Sequence, residues 1–460
     1  MIELGTPTVR EKRVPTRIGR RYLVTTFGCQ MNEHDSERFG GLFESDGMVR
    51  ADGVDDADVI LINTCCVREN ADNRLYGTLG QLKTRKVADP GVKILVGGCL
   101  AQKDRELVRE RAPWVDVVLG THNLHRALSL LDHAEEWGAV TEVWEETSPG
   151  AARASDLPAR REAPHSAWVT VTIGCDNACT FCIVPAVRGR EISRRPGDIL
   201  REARDLAADG VVEVTLLGQN VNSYGRDFAV DGRRRPIFAD LLRRMGEVEG
   251  IRRVRFTSPH PKDIKADVVA AMAETSAVCE QLHLPLQSGS ARILRAMQRG
   301  YDAERFLAKL TMARETVPGL ATSTDIIVGF PGETEGDFQD TLDVVGEARF
   351  DSAFMFIYSP RPGTPAATMD DQVDPGAASE RFGRLADLQR TISLERNEEL
   401  VGSTVEVLVE GPSRKDPTLV TARTRTNKVV HMPGEFAPAT FLDVELLRAA
   451  PSHLIGRVTP

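Results

Sequence analysis

Apolar residues recur along this chain as short continuous runs, separated by stretches in which they return every three or four positions. From Tyr22 to Leu131 the runs RYLVTTF, DVILINT, VKILVGG and VDVVLG alternate with helical stretches such as SERFGGLFESDG. This βαβα rhythm predicts a parallel sheet covered by helices, an N-terminal α/β domain over residues 21–140. The stretch from Glu142 to Ser166 is rich in Pro, Ala and charge and reads as a linker, residues 141–165. The rhythm resumes over residues 166–400 with AWVTVTI, VEVTLLG, RRVRFTS, EQLHLPL, STDIIVGF and SAFMFIYS, separated by helices such as ERFLAKLTMARETV and DFQDTLDVVGEAR. Six strand–helix units predict barrel-like curvature, a partial (βα)6 barrel, although periodicity does not separate that from an open sheet. Residues 401–460 change character: TVEVLVE, LVTARTR, KVVHM and TFLDVELL are short, closely spaced and divided by turns, the pattern of a small antiparallel β-barrel. The first 20 residues are polar, Arg-rich and without periodicity, and read as a disordered tail.

No apolar run approaches the roughly 20 residues of a membrane span, and the N-terminus lacks the apolar core of a secretion signal. We therefore expect a cytoplasmic protein without membrane association. Lys and Arg number 58 against 67 Asp and Glu, a net charge of −9. That balance weighs against a protein that coats nucleic acid by charge alone, while leaving room for a local basic site. Eight cysteines in a chain of 460 residues are too few for a disulfide scaffold, and in a reducing compartment grouped cysteines point to metal or redox chemistry.

The grouping is specific. GCDNACTFC places Cys175, Cys179 and Cys182 in a C-x3-C-x2-C spacing directly after a strand. Three thiolates on one loop can hold an iron–sulfur cube and leave one iron open to a small molecule. Zinc normally takes a fourth Cys or His, and the next ones downstream, His260 and Cys279, are distant in sequence. A second set emerges from topology: Cys29, Cys65 and Cys99 each lie just past the end of a successive predicted parallel strand. Strand ends of that kind share one rim, so a second three-thiolate cluster is the sharp reading and buried core thiols the plain one. Cys66 is adjacent to Cys65, and spacing does not choose between them. Cys279 has no partner and reads as core.

Taken together, the motifs TFGCQMNEHDSE, INTCCVRENA, GGCLAQ, RGREISRRPGDI, LLGQNVNSYG, HLPLQSGS and DIIVGFPGE resemble the radical S-adenosylmethionine methylthiotransferases over Tyr22 to Leu447. Within them they look like the subgroup acting on N6-dimethylallyl-adenosine in tRNA. The resemblance implies a radical S-adenosylmethionine barrel and a TRAM-like tail. It also implies a methylthio group added to C2 of that adenosine at position 37, next to the anticodon. The alternative targets are those of sibling enzymes, N6-threonylcarbamoyl-adenosine in tRNA or a ribosomal-protein aspartate. Two four-iron clusters are implied, with Cys175, Cys179 and Cys182 as catalytic ligands and Cys29, Cys65 and Cys99 as auxiliary ligands. Cys65 is chosen over Cys66 because the family usually has Ala or Ser at the latter. Cys66, Ala186 and Val187 are departures from the family pattern.

The chemistry implied is radical, because purine C2 has no acidic proton. One S-adenosylmethionine yields the 5'-deoxyadenosyl radical, a second the methyl group, and the auxiliary cluster the sulfur. An electron donor such as flavodoxin or ferredoxin is implied, and we expect a monomer. By family position Phe181 would contact S-adenosylmethionine, its plain reading being a shield of the cluster from water, while Gly218, Gln219 and Asn220 after the second strand, Ser288 and Gly289 after the fourth, and Val328 and Gly329 after the fifth are placed to contact it as well. Tight turns after buried strands are the plain reading of the glycines. His283 faces either the barrel interior and the substrate or the core. RNA contact is expected from the tail, where Arg423, Arg425, Asn427 and Lys428 cluster on one hairpin. Arg188, Arg190, Arg194 and Arg195 are further cations placed to guide the anticodon stem.

Overall fold

The computed structural model describes residues 14–66, 69–144, 157–230 and 233–459, in two compact units. The first comprises the chain to Glu162 together with Ile173–Asn177 and Cys182–Ile192; the second comprises Ala163–Thr172, Ala178–Phe181 and Ser193–Pro460.

In the first unit six parallel strands run in the order Val49–Arg50, Arg21–Phe27, Val59–Thr64, Lys93–Gly98, Val117–Leu119, Val140–Glu142. The strand VILINT is buried at every position, which explains why it reads as a continuous apolar run rather than an alternating one. Val59 and Leu61 pack with Phe39 and Phe43 of the helix Gln30–Ser45. Ile60 and Ile62 face the opposite core, with Leu75, Leu79 and Val108. At about 1.5–3 kcal/mol for each fully buried large apolar side chain, these two faces are the main favourable term in the unit.

Residues 14–20 correct the expectation of a disordered tail, whose first 13 residues lie outside the described residues. Arg17 is 4% exposed and pairs with Asp46 and Asp132, both at 2.8 Å. The linker expected over residues 141–165 falls partly outside the described residues. Its end is packed in place: Leu157 carbonyl accepts from Arg38 at 2.9 Å, and Arg160 pairs with Glu44 at 2.7 Å.

The second unit contains two three-stranded parallel sheets, Ser166–Thr170, Glu213–Leu217, Arg253–Phe256 and Gln281–His283, Ala321–Val328, Ser352–Ile357. A single parallel bridge from Val254 to Val278 connects them, giving six strands in chain order, the expected partial barrel. The helix Pro375–Glu398 leads into a closed barrel of strands Thr404–Pro412, Leu419–Thr424, Val429–Pro433, His453–Val458 and Phe441–Ala450. The strand His453–Val458 escaped the sequence reading because HLIGRV lacks a strict alternation, yet it closes the barrel. Among the described residues no helix is long and apolar enough to cross a membrane.

Candidate functional site

Three neighbouring strands of the first unit end in step: Phe27 lies beside Thr64, and Thr64 beside Gly98. Cys29, Cys65 and Cys99 therefore leave the sheet along one rim, where parallel sheets collect ligands. Cys29 precedes the helix Gln30–Ser45 in extended conformation, and Cys99 opens the helix Cys99–Asp104. Two glycines permit this approach. A Cβ on Gly28 would stand 2.6 Å from the Asn32 side chain, and one on Gly98, at φ +93°, 2.3 Å from Asn63 Oδ1.

Cys65, Cys66 and Cys99 are buried and Cys29 is half-buried. Cys65 hydrogen-bonds Cys29, which lowers the Cys29 thiol against the opposing effect of burial, and the Arg188 charge lowers it further. Cys66 hydrogen-bonds Cys99, lowering Cys99 and raising itself. Arg188 is buried, pairs with Asp35 at 2.7 Å, and its charge also lowers Cys99. Buried thiols beside a guanidinium favour the thiolate. Among the described residues no three Cys, His, Asp or Glu side chains converge as a ready-made site for a single ion. A cube takes each thiolate on a different iron, so its ligands need not meet around one point. The donor set is sulfur only and next to a cation, which fits an iron–sulfur cluster better than a hard metal.

The same unit holds Cys175 and Cys182. Cys175 N–H donates to Gly189 carbonyl at 3.1 Å, and Gly174, at φ +77°, sits where a Cβ would be 2.1 Å from Arg190 carbonyl. After Cys182 the helix Val184–Arg188 buries Ile183 and Val187 in the core that contains Cys66, Cys99 and Leu100. Two departures from the family pattern, Cys66 and Val187, thus share one core. Thr121 Oγ1 holds Val187 carbonyl at 2.5 Å.

In the second unit Cys179 accepts from Arg299 at 3.2 Å, a residue the sequence reading missed. Arg299 is 5% exposed and also bonds Tyr301 hydroxyl at 3.0 Å. Thr180 ties the loop to Met297 and Ala296, and Phe181 packs on Ile293, Met297, Phe330 and Ala366.

The residues expected to contact S-adenosylmethionine separate into two groups. Gln219 has both amide atoms buried with no hydrogen-bond partner among the described residues, and Asn220 has its Oδ1 in the same state. Asn220 Nδ2 donates to Asp263 at 2.8 Å. Against burial, the Lys262 and Asn220 hydrogen bonds help to hold the Asp263 carboxyl at about 2. Orphaned buried amides at a strand end fit an absent polar ligand. The others have tasks within the protein. A Cβ on Gly218 would stand 2.2 Å from Thr172 Oγ1, and one on Gly289 2.4 Å from Asp340 carbonyl. Ser288 is buried and bonds Ser290 N–H at 3.2 Å. Val328 lies in the main core, and Gly329 N–H donates to Glu333 at 2.9 Å.

The hairpin cations expected to meet RNA are engaged elsewhere. Arg423 pairs with Glu410, Arg425 with Glu280 at 2.8 Å, and Lys428 with Asp351 and Asn397, both at 2.8 Å. Asn427 takes the left-handed turn position, φ +66°, and its side chain accepts from Arg423. The hairpin is a seat for the small barrel, also gripped by Arg253 and Arg255 through the carbonyls of Arg423, Thr424 and Arg425. Local cation density in the sequence did not show that each charge meets a carboxylate or amide brought from far along the chain. Likewise Arg188 and Arg194 are buried and paired, with Asp35 and Glu202. Arg190 and Arg195 are exposed. Cys279 is buried, as expected of a core thiol.

Residues 21–120 match the family model described as "Uncharacterized protein family UPF0004", residues 169–345 that of the radical SAM superfamily, and residues 398–459 that of the TRAM domain. A protein of Parafrankia sp. (strain EAN1pec) is 55% identical over 95% of this chain and 89% of its own length. One of Tropheryma whipplei (strain Twist) is 54% identical over 95% and 92%. One of Mycolicibacterium smegmatis is 53% identical over 98% and 88%. All three bear the name tRNA-2-methylthio-N(6)-dimethylallyladenosine synthase. Among solved structures, the radical S-adenosylmethionine methyltransferase TsrM of Kitasatospora setae, with tryptophan and a SAM analogue bound, shares the fold. The TM-score is 0.54 at 12% identity, over 81% of this chain and 89% of that one.

Proposed function

The chain belongs to the tRNA-2-methylthio-N(6)-dimethylallyladenosine synthase family, and from that membership we propose that it adds a methylthio group to C2 of N6-dimethylallyl-adenosine at position 37 of tRNA. The observation that carries the reading onto this chain's own residues is the register Phe27–Thr64–Gly98, which delivers three cysteines to one rim of the sheet. Cys29, Cys65 and Cys99 hold one four-iron cluster, and Cys175, Cys179 and Cys182 a second. When bound, these clusters and two S-adenosylmethionine molecules supply the radical, the sulfur and the methyl group that an unactivated purine carbon requires.

The protein's own groups orient and insulate. Arg188 places a buried positive charge beside Cys29 and Cys99, offsetting the accumulation of thiolate charge. Arg299 donates to the Cys179 sulfur. Gln219 and Asn220 offer amide groups for the polar end of the cofactor, and Phe181 a ring for its adenine. Of the eight positions named for the cofactor, Gly218, Ser288, Gly289, Val328 and Gly329 shape the strand ends from which those groups project. The TRAM barrel brings the tRNA, with Arg414, Lys415 and Arg448 exposed on it. A one-electron donor such as flavodoxin or ferredoxin supplies the reducing electron, and the chain works as a cytoplasmic monomer.

Anaerobic reconstitution followed by iron and sulfide analysis should give about eight irons per chain. Mass spectrometry of tRNA nucleosides from a deletion strain should show N6-dimethylallyl-adenosine accumulating without its 2-methylthio form. A protein saturating at four irons defeats the two-cluster part, and unchanged 2-methylthio levels defeat the assignment of substrate.

A further inference from the structure

The strand Ser352–Ile357 presents an anomaly: Phe354 is 54% exposed and Phe356 38%. Large aromatic side chains left open in adjacent same-face positions mark a binding surface more often than an accident of packing. Their neighbours explain what surface this is. Ala353 and Met355, on the other face of the strand, pack against the main core, so the two phenylalanines face away from it. In register beside Phe354 and Phe356 are Asp325 and Ile327, and beside Ser323 is His283. Asp325 Oδ2 stands 3.3 Å from His283 Nε2, Ser323 Oγ lies 3.0 Å from His283 Nδ1, and the His283 ring meets Phe354 edge to face at 5.9 Å. Ile327 packs on the same small cluster as Phe181, the residue before the last cysteine of the loop. One sheet face therefore runs from a polar pair, through two open aromatic rings, to the side chain that flanks Cys182.

We propose that this face recognises the N6 substituent of the target adenine, with Phe354 and Phe356 covering the apolar five-carbon group and His283–Asp325 meeting the polar edge of the base. The proposal rests on the substrate reading above and assigns the residues that enforce it. An unstacked base needs an aromatic or apolar surface to replace its lost neighbours, and the largest difference between a branched five-carbon N6 group and a bare amine is apolar area. The Asp325 carboxylate adds the opposite discrimination: an N6 group that itself ends in a carboxylate, as threonylcarbamoyl does, meets a like charge here.

The test compares the reconstituted full-length enzyme on three anticodon stem-loops that differ only at N6: bare, dimethylallyl and threonylcarbamoyl. Wild type should bind the dimethylallyl loop in preference to the bare one, and the Phe354→Ala/Phe356→Ala double variant should lose about tenfold or more of that ratio. Phe354→Leu, which keeps apolar volume, should recover part of it. Asp325→Asn should raise binding of the threonylcarbamoyl loop relative to the dimethylallyl loop. Should the double variant fail to fold, the last two variants carry the test. An unchanged binding ratio in folded variants, while wild type still forms the 2-methylthio product, overturns this inference alone. Absence of that product from wild type overturns the substrate reading on which it rests.

Discussion

Arg299 shows how much of a site one distant side chain controls. Its guanidinium reaches the sulfur of Cys179 from 120 residues further along the chain, and hydrogen bonds to cluster sulfurs favour the reduced, more negative state. Arg299→Met should therefore shift the potential of the cluster proposed on Cys175, Cys179 and Cys182 downward, on the order of 60 mV, the one-electron equivalent of about 1.4 kcal/mol. Redox titration followed by EPR would measure it, and a potential unmoved would leave Arg299 a packing residue. The adjacent pair Cys65–Cys66 offers a second residue-scale test. Cys65→Ser should leave about four irons per chain, whereas Cys66→Ser should leave about eight. The reverse pattern would make Cys66 the ligand. The six cysteines were legible in the sequence because their spacing and their position past each strand are local facts. Arg299 and the Arg188–Asp35 pair were not, since nothing local in MQRGYD or VRGRE announces a partner beyond 100 residues away.

Elements matter here mostly through where they stop. The helix read as SERFGGLFESDG begins six residues earlier, at Gln30, because Cys29 is extended and its carbonyl accepts from Glu33 at 3.0 Å. Polar residues of its first turn had obscured that start. The cluster loop depends on Gly174, where a positive φ coincides with a close approach to Arg190 carbonyl. Gly174→Ala should cost roughly 1–3 kcal/mol in backbone strain alone and lower iron loading, read as a reduced thermal midpoint and an iron content below that of wild type. Full loading at an unaltered midpoint would show that the loop tolerates the change. Strands were found where apolar runs were continuous. His453–Val458 was missed because HLIGRV has no strict apolar alternation, its buried positions being Leu454 and Gly456.

At the level of the second unit, the small barrel is clamped to the central domain by charge rather than by a broad apolar face. Arg253 is fully buried, bonding Glu406 at 2.9 Å and Arg423 carbonyl at 2.8 Å. Phe441 lies under it, ring centroid 5.1 Å from the guanidinium. Arg253→Ala takes a buried guanidinium away from the partly exposed Glu406 and leaves the Arg423 carbonyl without its donor, and should destabilise by about 1–3 kcal/mol. Calorimetry should then show the barrel melting apart from the rest. A single transition at the wild-type midpoint would mean that the clamp is energetically idle. Because Arg425 and Lys428 are part of this clamp, a loss of tRNA binding in their variants has to be judged together with the melting behaviour.

The linear chain already carried the three-region α/β and β architecture, six candidate ligand cysteines and the family. Strand periodicity, cysteine spacing and motif identity are all short-range properties of the chain. Which cations are available and which are paired, which glycines serve packing, and which aromatic rings remain uncovered became fixed only on folding. Those outcomes depend on carboxylates, carbonyls and neighbouring strands that the fold brings in from far away, and burial is a property of the assembled neighbourhood rather than of the residue.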